Sequence, residues 1–255
     1  MNRTAIKAFL DEKAVAYEQS HFLEADPIQI PHHFSKKEDV EIAGFLTATI
    51  AWGNRVSILK SGYKMMELME NDPYHFIVNH QDKDLKPFQS FVHRTFNGDD
   101  LCYFIKALKN IYLNHDGLEK AFSKYNEDPS LHRNIHEFKK CFFTLDHLQR
   151  TQKHISDPLK GSAAKRLNMY LRWMVRSSKN GVDFGLWKQL NPAQLSCPLD
   201  VHTGNVARSL GVLKRKQNDH KALVELDTFL RKLDPKDPVK YDFALFGLGA
   251  YEGFK

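Results

Sequence analysis

Apolar residues recur at intervals of three and four along nearly the whole chain, and this helical period constrains the fold more than any other feature. In residues 3–17, for example, Ile6, Phe9, Leu10 and Val15 form an apolar stripe. No segment alternates apolar and polar residues between turns of the kind that join two strands. The sequence therefore predicts an all-α fold.

Turn and capping residues delimit the predicted helices. Ser35–Glu38 has the spacing of a capping box at the start of a long apolar run. The predicted helices cover residues 3–17, 40–52, 56–69, 99–112, 129–143, 161–177, 198–210, 218–233 and 239–246.

Two proline-containing segments, residues 26–31 and 191–198, are the candidate hinges between domains. They predict a two-lobed arrangement. Residues 31–190 would form a central helical lobe, and residues 1–30 plus 191–255 would form a second lobe from both ends of the chain.

Composition narrows the class of protein. A chain of 255 residues that is 42% hydrophobic can bury a substantial core, and no apolar run has the length of a membrane span. Its three cysteines lie far apart and cannot form a four-cysteine cluster, so a reducing compartment, the cytoplasm, is the simplest expectation.

The positive charge of the chain is concentrated in one window. The net charge is +6, but residues 159–216 hold eleven Lys or Arg and two acids, so this window is +9 and the remainder is −3. Such a window indicates a face that binds a polyanion, and a solvated helix surface is the alternative.

Two short segments carry the pattern of an active site. Residues 159–168, LKGSAAKRLN, place Lys165 two residues after Gly161-Ser162-Ala163, and residues 198–202 read PLDVH with Asp200 at their centre. Together they resemble the helix-hairpin-helix DNA glycosylase superfamily, which includes endonuclease III and the 8-oxoguanine glycosylases. Ala163 stands where that family has a second glycine.

Three other segments extend the resemblance over about residues 38–250. Residues 40–48 resemble the first barrel helix of the family, and residues 53–58 resemble the loop that pushes a side chain into the DNA stack. Residues 242–247 resemble the late helix under the active site.

The resemblance implies roles for individual residues. Lys165 would be the nucleophile that attacks the sugar C1′, and the Asp200 carboxylate would stabilise the developing positive charge and shuttle a proton. The implied DNA-binding residues are Gly161, Ser162, Ala163, Arg166, His202, Asn54 and Arg55, with Asn54 or Arg55 as the wedge. The implied base pocket consists of Trp52, Phe243 and Phe246.

The resemblance also implies a function. We expect a base-excision repair glycosylase with AP lyase activity that acts on an oxidised base in double-stranded DNA, as a monomer. We expect neither a cofactor nor a metal, because His132 and His136 lack the Glu of a zinc-protease motif.

Several alternatives remain open at this point. The same scaffold could be a non-catalytic DNA- or RNA-binding module, or a helical interaction protein with a basic face. Lys165 and Asp200 could be ordinary helix residues. His202 could contact phosphate or serve only in packing, and Trp52 could belong to the core or stack on DNA.

Overall fold

The computed structural model describes residues 2–125 and 127–254, apart from the side chain of Ala25, and most of them are helical. The predicted all-α class is therefore confirmed. The α-helices of the described residues are α1 (Arg3–Tyr17), α2 (Lys37–Ile50), α3 (Arg55–Leu68), α4 (Pro73–Asn79), α5 (Gly98–Asn114), α6 (Gly117–Phe122), α7 (His132–Phe142), α8 (Lys165–Val175), α9 (Val201–Ser209), α10 (His220–Leu233) and α11 (Tyr241–Ala250).

One small hairpin is not predicted by the sequence pattern. Strands β1 (Val92–His93) and β2 (Phe96–Asn97) pair antiparallel, with His93 opposite Phe96. Two residues per strand are too few to show an alternating pattern, which explains the omission.

The chain forms two compact units. Unit 1 comprises Met1–Phe22, Tyr125–Ile135 and Asp157–Lys255, and unit 2 comprises Leu23–Lys124 and His136–Ser156. The division predicted from the sequence places residues 157–190 with the inner part of the chain, whereas the structure groups them with the two ends.

The core of unit 2 is aromatic. Phe45 lies at its centre, with ring centroids 5.5 to 6.0 Å from those of Phe104, Phe138 and Phe142. Around this cluster α2 packs against α3 and α4, and α5 packs against α4 and α6.

The core of unit 1 is mainly aliphatic. α11 packs against α1 on one side and α9 on the other. Leu10, Val206, Leu226 and Leu245 are all fully or almost fully buried in this cluster. Val15, placed in the α1 stripe from the sequence, is instead 70% exposed, because it lies off the buried face of Ile6, Leu10 and Ala14.

Most helix starts carry a side-chain cap that the sequence could indicate. Asn54, Asp72 and Asp200 each accept a hydrogen bond from a backbone N–H in the first turn of the following helix.

The prediction of a capping box at Ser35 is wrong. α2 begins at Lys37, its N-cap is Lys36 without a side-chain hydrogen bond, and nearly all its residues are buried, so packing rather than capping holds this helix.

No helix among the described residues is both long enough and apolar enough to cross a membrane.

Candidate active site

The segment before α8 is a tight turn, here named the Gly161 turn (residues 157–164). A short 3-10 helix, Pro158–Lys160, ends at Gly161, whose φ of +91° suits glycine. Ala164 also has a positive φ, +44°, and the helix begins at the next residue, Lys165. The predicted start at residue 161 is therefore four residues too early, because these left-handed residues turn the chain before it becomes helical.

Backbone pairing holds the Gly161 turn against the start of α10. The backbone N–H of His220 donates to the Gly161 carbonyl at 3.0 Å, and Ser162 forms an isolated antiparallel bridge with Asp219. The buried Asn168 amide donates to the Ala163 carbonyl at 2.9 Å, so α8 holds the turn from the other side.

Asp200 lies at the N-cap of α9. Its Oδ1 accepts a 2.9 Å hydrogen bond from the Thr203 N–H, and its carbonyl accepts one from the Asn218 side chain at 2.8 Å. The carboxylate is therefore fixed at the positive end of a helix, where an anion is favoured.

A second carboxyl at the site, that of Asp242, contacts α8 and the segment before α9. It is buried near the start of α11, accepts a 2.6 Å hydrogen bond from Arg172 and lies 3.6 Å from the Cys197 thiol. Burial raises the pKa of Asp242. Arg172 and Lys165 oppose this rise, whereas the Asp200 charge adds to it.

Lys165 and Asp200 therefore both lie near one buried carboxyl. Each is close enough to Asp242 to change its pKa, in opposite directions. Asp200 and Asp242 also help burial to raise the pKa of the Cys197 thiol well above its ordinary value. Both predicted catalytic residues are partly exposed and act electrostatically on the Asp242 carboxyl of unit 1, and the Lys165 amine lies 3.6 Å from the Met169 sulfur.

Two basic residues of the 159–216 window are not at the surface. Arg172 donates to Asp183 and Asp242, and Arg176 donates to Glu18, Asp183 and Asp237, as a buried ion-pair network. The sequence analysis counted both arginines toward a polyanion-binding face. They neutralise buried acids instead, because the helical spacing of four residues directs them to the same interior.

The implied DNA-binding residues of unit 1 differ in exposure. Gly161 is exposed and Ser162 is partly exposed. The Ser162 hydroxyl accepts a hydrogen bond from the Ala164 N–H. His202 is exposed, and its ring centroid lies 6.0 Å from that of Phe246. Arg166 is partly buried, and burial lowers the pKa of its guanidinium to about 10.

The two phenylalanines of the implied base pocket lie in different surroundings. Phe243 is 1% exposed and is covered by the Arg172 guanidinium, 4.3 Å from its ring centroid. Phe246 is partly exposed and contacts Phe22 and His202.

The remaining implied residues belong to unit 2. Asn54 is the exposed N-cap of α3 and Arg55 is the first residue of that helix. Trp52 is partly exposed, and its ring stacks on His154 with centroids 6.1 Å apart.

The sequence analysis assigned no role to Asp242, Cys197 or Arg172, although it singled out the segment that begins at Asp242. Arg172 follows Lys165 by seven residues, two helical turns, so the two share a face of α8. From that spacing, the sequence could have predicted that Arg172 lies on the same face of the helix as Lys165. Among the described residues, no three His, Cys, Asp or Glu side chains are arranged as a metal site.

The fold and the site define a mostly helical protein in which a helix-initial lysine and an N-cap aspartate both act electrostatically on one buried acid. The chain belongs to the DUF2400 family, described as proteins of unknown function, whose family model matches residues 26–251. The comparisons found no match among curated proteins and none among solved structures.

Proposed function

We propose that this protein is a DNA glycosylase with AP lyase activity, which excises an oxidised base from double-stranded DNA. The observation that carries the proposal is the placement of two residues: Lys165 is the first residue of α8, next to the Gly161 turn, and Asp200 is the N-cap of α9. The charges of both act on the buried Asp242 carboxyl. An amine can serve as nucleophile at a sugar carbon, and a carboxylate can stabilise the positive charge that develops there.

In the proposed reaction the damaged nucleotide is flipped out of the duplex, since its C1′ is inaccessible in the stack. The Lys165 amine forms a bond to C1′ while the bond from C1′ to the base breaks, and the bonding electrons leave with the base. Asp200 stabilises the positive charge on the sugar and accepts the proton that the amine loses. That proton passes to O4′ as the C1′–O4′ bond breaks and the nitrogen lone pair forms the imine with Lys165. Loss of a C2′ proton to solvent then eliminates the 3′ phosphate.

The Gly161 turn supports the binding of DNA phosphate. Gly161 is exposed, and no atom lies within 4 Å of the position that a Cβ would occupy there. Ala164, the N-cap of α8, supplies no side-chain hydrogen bond to the helix, and helix N-termini favour anions. The N–H groups of Gly161 and Ser162 donate to the carbonyls of Pro158 and Asp157 within the turn. We therefore assign Gly161, Ser162 and Ala163 to phosphate binding through the exposed turn and the adjoining start of α8, with Arg166 and His202 as further phosphate contacts.

The other assignments stay proposals of the same kind. Asn54 or Arg55 is the wedge. Phe246 of unit 1 and, separately, Trp52 of unit 2 stay candidates for contact with the base, whereas Phe243 is buried beneath the Arg172 guanidinium. All three cysteines are free. A reducing compartment suits free thiols, and we propose a cytoplasmic monomer without a cofactor.

Borohydride trapping on abasic or damaged DNA tests the proposal. The wild-type protein should become covalently attached, because borohydride reduces the imine between Lys165 and the sugar. Lys165→Gln should lose the trapped species completely and still bind DNA, since other groups contact the phosphates.

Two neighbouring lysines provide matched controls. Lys160→Gln and Lys179→Gln remove the same charge at exposed positions before and after α8, and both should trap like the wild type. Trapping that persists in Lys165→Gln would refute the assignment of the nucleophile. If the wild type traps on no substrate, the lyase activity is refuted. A glycosylase without lyase activity or a non-catalytic nucleic-acid-binding module then replaces it, and a base-release assay separates the two.

A further inference from the structure

A cleft in unit 2 is not used by the proposed chemistry. It lies between α3 and the strand β1, has a volume of about 470 Å³ and is open to solvent on one side. Three cationic side chains line it: Lys60 and Lys64 from α3, and Arg94 from the turn after β1.

The charge of the cleft is not neutralised locally. No acidic residue lines it, and among residues 2–125 and 127–254 neither Lys60 nor Arg94 has an acidic partner within ion-pair distance. Lys64 pairs with Glu67 at 3.0 Å, but both side chains are more than half exposed, and such pairs are weak in water.

The remaining polar groups of the cleft suit an anion that also accepts hydrogen bonds. Ser57 and Ser61 line the α3 wall, and the Ser61 hydroxyl lies 2.9 Å from Nδ1 of His93. Burial lowers the pKa of His93, so its ring is neutral at neutral pH and adds no charge.

The arrangement is linear rather than compact. Ser57, Ser61 and Lys64 succeed each other at intervals of four and three residues, so they follow one face of α3 for two turns, about 10 Å. A row of this kind follows an extended polyanion, whereas a small anion needs donors that converge on one point.

Arg94 connects the cleft to the loop before α3. Its φ is +55°, and its Nη1 lies 2.9 Å from the position of a Cβ built on Gly53. Arg94 therefore packs beside Gly53, next to the Asn54 and Arg55 that we assign as candidate wedges.

We propose that this cleft binds the sugar–phosphate backbone of a nucleic-acid strand, with Lys60, Lys64 and Arg94 contacting successive phosphates. The inference rests on the DNA partner of the proposed function and is independent of the chemistry at Lys165. The cleft then holds DNA next to the wedge loop within unit 2.

The salt dependence of binding tests this inference. The dissociation constant of a short undamaged duplex is measured at several salt concentrations for the wild type and for Lys60→Gln/Arg94→Gln. Each phosphate contact adds about 0.9 to the slope of log affinity against log salt, so the slope should become smaller by about 2 in the double variant. Thermal unfolding of the same samples confirms that the variant is folded.

The matched control is Lys83→Gln/Lys86→Gln, which removes two exposed lysines of unit 2 that do not line the cleft. Its slope should equal that of the wild type. An equal loss of slope in both double variants would show a general charge effect and overturn the assignment of the cleft.

A small phosphate compound is the competing occupant, and inorganic pyrophosphate is its probe. Saturable pyrophosphate binding that Lys60→Gln/Arg94→Gln abolishes, with an unchanged duplex slope, would overturn the backbone assignment. If the protein is trapped at Lys165 and the slope of Lys60→Gln/Arg94→Gln equals that of the wild type, the assignment of the cleft is refuted and the proposed lyase is not. A reduced slope without any trapping would refute the lyase and support the cleft, and absence of duplex binding would refute both.

Discussion

The Arg172 guanidinium donates a 2.6 Å hydrogen bond to the Asp242 carboxylate inside unit 1. The same guanidinium donates to Asp183 at 3.2 Å and covers the ring of Phe243. One side chain therefore stabilises two buried acids and fixes the carboxyl that lies near both Lys165 and Asp200. This relationship makes α8 a supporting element of the site as well as the carrier of its lysine.

Arg172→Met should destabilise the protein strongly. Methionine retains much of the apolar stem, but it leaves Asp242 without its cation and leaves Asp183 with Arg176 alone. Removing one partner of a buried ion pair costs about 3–5 kcal/mol. Urea unfolding gives the free energy of unfolding. Lys179→Met, at an exposed position past the end of the same helix, should change it by less than about 0.5 kcal/mol. A loss below about 1 kcal/mol in Arg172→Met would contradict the structural role of the pair.

Asp200→Asn should separate catalysis from folding. Asparagine also caps helices, so the hydrogen bond from the Thr203 N–H and the stability of α9 should persist. Single-turnover base excision should slow by about 10²–10³-fold, because the charge that faces the developing cation is lost. Asp72→Asn, the same change at the N-cap of α4, is the control and should excise at the wild-type rate. Equal rates for all three proteins would leave Asp200 as a helix cap only.

Asp227 should make stability depend on pH. The residue is 3% exposed, its Oδ1 accepts the Cys197 N–H at 2.9 Å, and Arg231 approaches Oδ2 only to 3.6 Å. Burial raises the pKa of Asp227 from 3.8 to about 6, although Arg231 opposes the rise. The folded state thus holds this proton more tightly than the unfolded state. The contribution of Asp227 is complete below pH 3.8 and is lost as the pH rises through about 6.

Asp227→Asn removes this titration and keeps an acceptor for the Cys197 N–H. The unfolding free energy of the wild type minus that of the variant should fall by about 1 kcal/mol between about pH 5 and about pH 7.5. Urea unfolding at both pH values measures it, and taking the difference cancels the titration of other groups. A difference that does not vary with pH would show that Asp227 ionises equally easily in the folded and unfolded states.

The sequence by itself predicted the longer helices, because the apolar period and the capping residues are local. It did not predict α4 and α6, since helices of seven and six residues are too short to show the period. Asn54 and Asp200 cap α3 and α9 at positions that the sequence marks. α1 and α10 begin and end within two residues of the predicted bounds. Lys165 lies in the predicted helix 161–177, and in the structure it is the first residue of α8.

Only the tertiary structure decided which charged side chains of unit 1 are buried near the partly exposed Lys165 and Asp200. Arg172 and Arg176 are charged residues on an amphipathic helix, and the sequence analysis placed them on a basic surface. The structure buries them because Glu18, Asp183, Asp237 and Asp242 arrive from distant parts of the chain and neutralise them. A buried charge is stable only with its partners, and partners that are far apart in sequence leave no periodic signal. The role of Asp242 depends on α8 and α9 as well as on its own helix. Because these elements are far apart in sequence, packing decided this role.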